Sequence, residues 1–98
     1  MPYMIQFDDA KGVQQTRLTL RDKHREHVRN HRTKILASGG LLYDDKDQAD
    51  GGLILIDVDT RAEAEAFVQA DPFYLGGIYV NYQIRRWRKA FFDGQDLV

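Results

Sequence analysis

The chain has no cysteine, which excludes disulfides, thiolate metal sites and cysteine nucleophiles, and permits a reducing compartment. It has little net charge: 14 basic residues stand against 15 acidic ones, for a formal charge of -1. That balance argues against a general electrostatic grip on nucleic acid or on an anionic membrane. Long hydrophobic runs are also missing, since no stretch approaches the roughly 20 apolar residues of a membrane span. Met1-Pro2-Tyr3-Met4 shows no basic segment followed by an apolar one, so a cytoplasmic location is expected. No internal repeat, low-complexity segment or linker breaks the chain, and 98 residues suit one domain over 1–98, with a polar tail from about 93.

Local patterning gives an element order. Tyr3 to Phe7 is a short apolar and aromatic run that reads as a buried strand. Leu20, His24, Val28, His31 and Ile35 recur at spacings of four and three, predicting a helix from about Thr19 to Ala37 that ends at Gly39-Gly40. Leu41-Leu42-Tyr43 and Leu53 to Val58 read as two strands of an antiparallel hairpin. Thr60 with Glu63 forms a capping box that opens a second helix carrying Ala62, Ala66, Phe67 and Ala70, and Asp71-Pro72 stops it. Phe73 to Gly77 reads as an apolar turn and Ile78 to Trp87 as a last strand. The predicted fold class is therefore α+β, a ferredoxin-like βαββαβ arrangement with an antiparallel sheet and both helices on one face. A small domain with an open sheet face gains by covering it, so a homodimer is expected.

The even charge total hides a dipole. Arg17, Arg21, Lys23, Arg25, Arg29, Arg32 and Lys34 crowd the first helix, while Asp44 to Asp71 is predominantly acidic. Solvated faces explain such a pattern, and attraction of an anionic small molecule is the alternative. The three histidines, His24, His27 and His31, share one side of the first helix. No third or fourth ligand completes a metal pattern, so no metal site is assigned. His24 lies nearest the middle of the apolar stripe and is the histidine expected to be buried. A buried imidazole becomes chemically interesting with a carboxylate partner, and Asp71, in an apolar turn where desolvation is costly, is the candidate. An Asp-Pro turn in which the carboxylate accepts backbone N–H groups explains Asp71 equally well.

Two segments, Arg21-Asp22-Lys23-His24 and Ala70-Asp71-Pro72-Phe73 followed by Gly77-Ile78-Tyr79, resemble the Arg-x-x-His and Ala-Asp-Pro-aromatic motifs of the YciI-like (YCII-related) family. The likeness runs from the first strand to Phe91, with Gly39 and Trp87-Arg88-Lys89-Ala90-Phe91 in place. It implies a dimeric α+β barrel in which two sheets cover one another, and a catalytic pair of His24 and Asp71. It further implies acid-base chemistry of lyase, isomerase or dehydrochlorinase type, without a cofactor, on small polar cyclic or hydroxylated aromatic substrates. The sequence departs from the family at Tyr43-Asp44-Asp45-Lys46 and at Arg86, so substrate identity is not carried over.

In such a pair Asp71 would accept the Nδ1 proton and His24 would serve as general base through Nε2. Arg21, one turn earlier, is a candidate to hold an anionic group; Phe73, Tyr79 and Tyr82 are candidates to line the pocket. The competing expectation is a non-catalytic dimeric module that binds a small molecule and uses the same pair for structure. RNA binding finds no support, because the aromatic RNP motif is missing and a dimer would cover the sheet.

Overall fold

The computed structural model describes residues 1–98. Strand β1 (Tyr3–Asp9) is central and pairs antiparallel with both β3 (Gly51–Ile56) and β4 (Tyr79–Arg86), while β2 (Ile35–Leu41) closes the other edge against β3. The strand order β2-β3-β1-β4, with helix α1 (Gln14–Asn30) between β1 and β2 and α2 (Arg61–Gln69) between β3 and β4, is the ferredoxin-like arrangement. Alternation on β1 decides which face is which: Tyr3, Ile5 and Phe7 are buried, whereas Gln6 and Asp8 are exposed. The buried set joins Ile54, Ile56 and Ile84 of the neighbouring strands to Ala64, Phe67 and Val68 of α2. Each fully buried Val, Ile or Phe in such a cluster contributes about 1.5–3 kcal/mol. Met4, Leu53 and Leu55 turn to the opposite face beside Gln6, Gln83 and Arg85, and that face stays partly or fully exposed.

The two helices differ in depth. Ala64, Phe67 and Val68, spaced three and four apart, sink one side of α2 into the core, and Thr60 Oγ1 accepts the Glu63 N–H at 3.2 Å as its N-cap. Helix α1 buries no residue completely; Val28 is only half-buried against the core. A shallow α1 leaves open space between itself and the β2–β3 edge, and the candidate site occupies that space.

Several predicted boundaries need correction, among them the strand predicted at Leu41-Leu42-Tyr43, which lies earlier as β2 and ends at Leu41. Helix α1 runs from 14 to 30, five residues earlier than predicted, because Val13 caps it with no side-chain hydrogen bond and the sequence marks no start. Residues 31–34 form a turn and Ile35 begins β2, so the Ile35 that extended the helical stripe pairs with Ile56 instead and is partly buried against the core. Gly39 and Gly40 therefore lie inside β2 and do not end a helix. The predicted turn after Asp71 includes a short helix, α3 (Pro72–Leu75), and the stretch read as a polar tail folds back as a hairpin of β5 (Phe91–Phe92) and β6 (Gln95–Asp96). Asp93 and Gly94, with φ of 53° and 73°, supply the left-handed pair that this two-residue turn requires.

Candidate functional site

Asp71 sits at the junction of α2 and α3 and is 1% exposed. It fills both roles that its sequence context allows. As N-cap of α3 its Oδ1 accepts the Phe73 N–H at 2.9 Å, and the same oxygen lies 2.8 Å from Nδ1 of His24. A third donor, the Tyr79 hydroxyl, reaches Oδ2 at 2.8 Å. Three donors converge on this carboxylate, which is how a buried anion is held.

The carboxylate decides the histidine tautomer. An ionised carboxylate only accepts, so Nδ1 of His24 carries the proton, and in the neutral ring Nε2 is left with a bare lone pair. Nε2 has no protein partner, and no buried side-chain nitrogen or oxygen is unpaired, so Nε2 is open to solvent. The ring cannot easily swing away. Phe73 stacks flat against it, with centroids 3.9 Å apart and planes 1° from parallel. Arg17 lies over the Phe73 ring at 5.0 Å and is itself gripped by both oxygens of Asp9, with Nη2 to Oδ1 at 3.2 Å.

Tyr79 packs its ring on Phe7 at 3.9 Å and meets the edge of Phe73. Burial, and then the neighbouring Asp71 charge and hydrogen bond, push its acid dissociation far above the ordinary tyrosine range. It is therefore a neutral, permanent donor to Asp71. Tyr79 is absent from the cleft lining: the residue expected to touch a ligand instead has its hydroxyl committed to the carboxylate.

His24, Phe73 and Arg21 all line a cleft of about 630 Å³ bounded by α1 on one side and the β2–β3 edge on the other. Its apolar wall includes Phe7, Val28 and Ile54. The other two histidines point elsewhere. His27 Nε2 bonds the Phe67 carbonyl at 2.9 Å, His31 Nδ1 bonds the His27 carbonyl at 2.8 Å, and both rings pack on Phe67. The three histidines thus do not converge on a common point. Tyr82 packs edge-on against Tyr74, away from the cleft lining. Sequence reasoning missed the Arg17–Asp9 support beneath Phe73. The only available signal was that Arg17, Arg21, Arg25 and Arg29 repeat every four residues and so share a side of α1.

The fold and site define a small ferredoxin-like protein with a histidine-carboxylate pair at a cleft beside its first helix. The chain belongs to the YCII-related domain family, which matches residues 1–88. Its fold resembles that of 5-chloro-2-hydroxyhydroquinone dehydrochlorinase (TftG) from Burkholderia phenoliruptrix AC1100, solved in complex with 2,5-dihydroxybenzoquinone. The TM-score is 0.84 at 23% identity, over 90% of this chain and 94% of that one. Protein Atu4242 of Agrobacterium tumefaciens is similar at a TM-score of 0.54 and 17% identity, over 95% of this chain and 98% of that one. Protein PA3566 of Pseudomonas aeruginosa gives 0.51 and 15%, over 90% and 91% of the two chains. These likenesses are of fold. No curated protein sequence matches the chain. No helix is long and apolar enough to cross a membrane.

Proposed function

We propose that the protein is a cofactor-free acid-base enzyme of lyase or isomerase type, acting in the cytoplasm as a homodimer on a small polar cyclic or hydroxylated aromatic substrate. One observation carries this reading. Asp71 lies 2.8 Å behind Nδ1 of a clamped His24 whose Nε2 is open and whose side chain lines the cleft. Nε2 takes the proton of a substrate hydroxyl, the oxygen's electron pair moves into the ring, and a leaving group departs with its bonding pair or a proton returns at another carbon. Asp71 keeps Nδ1 protonated throughout and offsets the positive charge that forms on the imidazole. The dimer would be a barrel in which a second copy covers the Met4, Leu53 and Leu55 face.

The structurally similar dehydrochlorinase suggests the first substrate to try, 5-chloro-2-hydroxyhydroquinone, which would lose a proton to His24 and chloride to solvent. Chloride release above the spontaneous rate, reduced about 10²–10⁴-fold in His24→Ala, is the expected result. A His24→Ala protein that turns over as fast as the parent would sink the acid-base reading. A second reading is favoured by the bonds from Phe73 N–H and the Tyr79 hydroxyl to Asp71, which give the carboxylate a structural job independent of any reaction. On that reading the protein binds its ligand without turnover, and saturable binding of 2,5-dihydroxybenzoquinone with no reaction on any ring substrate would favour it. Sedimentation equilibrium tests the dimer, and a monomer at micromolar concentration would count against the barrel.

A further inference from the structure

Arg17, Arg21, Arg25 and Arg29 all line the cleft, and Asp47 is the one carboxylate that lines it with them. The first of these arginines is spoken for by Asp9. The other three are exposed and make no ion pair, although Asp22 and Glu26 stand three residues before Arg25 and Arg29 on the same helix, a spacing at which pairs form readily. The only charge pairs in the chain are Arg17 with Asp9 and His24 with Asp71. Like charges one helical turn apart repel, and this row spans about 12 Å from Arg21 to Arg29 at the helical rise of about 1.5 Å per residue. Unpaired guanidinium groups along one wall of a cleft form a donor array suited to a planar oxyanion.

His24 lies three residues after Arg21 and four before Val28, and all three line the cleft, so a ring seated beside the apolar Val28 can offer a hydroxyl to Nε2 and its other substituents to the arginines. The cleft, at about 630 Å³, falls within the range of roughly 300–1,000 Å³ that holds drug-sized ligands, and leaves room beyond a single ring. Resting on the acid-base reading of His24, we propose that the substrate class is a hydroxylated ring compound that also carries a carboxylate, with Arg21 and Arg25 holding that carboxylate and Arg29 extending the same positive wall.

Calorimetric titration of the full chain with 1,4-dihydroxybenzene, 2,5-dihydroxybenzoate and inorganic phosphate tests this. The carboxylate compound should bind about tenfold or more tighter than the uncharged diol, the scale of one charge-assisted hydrogen bond. That advantage should shrink with added salt and disappear in the Arg21→Gln, Arg25→Gln double variant, with the diol's affinity unchanged. Both positions are exposed, so the fold should survive, and circular dichroism checks it. Equal binding of the two ring compounds, no binding of either, or an advantage that persists in the double variant would overturn the proposal. Phosphate binding as tightly as 2,5-dihydroxybenzoate would overturn it too, in favour of a bare anion site. Failure of chloride release with the carboxylate advantage intact would remove only the role of His24 as base.

Discussion

Replacing Tyr79 by phenylalanine deletes one hydroxyl and nothing else, and the structure fixes what that hydroxyl does at two different pH values. At neutral pH it donates to Asp71 Oδ2 at 2.8 Å, a bond to an ionised and fully buried acceptor. Such bonds contribute about 1.5–3 kcal/mol, so Tyr79→Phe should be less stable than the parent by that amount at pH 8. Above pH 10 the sign of the pH effect matters. The folded state holds the Tyr79 proton far more tightly than the unfolded chain does, through burial first and the Asp71 charge second. A raised folded value means that the contribution is complete below the unfolded value of about 10 and is lost as pH rises beyond it. The unfolded chain ionises while the folded protein does not, so the parent loses about 1.4 kcal/mol per pH unit that the variant does not lose. A gap of about 2 kcal/mol would then close near pH 11.5. Both proteins share every other side chain, so only position 79 enters the difference between them. Urea unfolding of both proteins at several values between pH 8 and pH 11.5 provides the measurement. Stability curves that stay parallel across that range would refute the buried Tyr79–Asp71 bond.

Other outcomes follow from the same contacts. Asp71→Ala strands the buried Phe73 N–H, the Tyr79 hydroxyl and the Nδ1 proton of the clamped His24, so a loss of about 2–4 kcal/mol is expected in urea unfolding. Asp71→Asn keeps a carbonyl for Phe73 and should lose clearly less; equal losses would show that geometry at Phe73 does not matter. Gly52→Ala would put a Cβ 2.2 Å from the Phe7 ring tip, forcing that ring to move, and should cost about 1–3 kcal/mol by thermal or urea unfolding. Thr60→Ala removes the acceptor for Glu63 N–H at the start of α2, and a loss of about 1 kcal/mol is expected, with no change in ligand binding because Thr60 lies outside the cleft lining.

Much of this was legible because the relevant signals are local. The alternation of Tyr3, Ile5 and Phe7, the Thr60–Glu63 box and the helical spacing of Phe67 reflect backbone geometry that any buried segment obeys. Asp93-Gly94 carries a local hairpin signal too, since those residues tolerate the left-handed turn, but the polarity of the segment reads equally as a tail. The end of α1 was not readable. Nothing local in His31 to Lys34 stops a helix, and Ile35 continues its period; only pairing with Ile56 makes it a strand.

The sequence by itself determined the order of the four main strands and two long helices, the antiparallel α+β class and the identities of His24 and Asp71 as partners to suspect, because periodicity, capping chemistry and motif spacing are properties of neighbouring residues. Tertiary structure alone decided the rest. It brought together Asp71 and His24, 47 residues apart, and sent the Tyr79 hydroxyl to the carboxylate. It also kept α1 shallow enough to leave a cleft lined by arginines. Those outcomes depend on which donors a buried carboxylate can reach once the sheet is assembled, and distance across a fold has no counterpart in the order of residues along the chain.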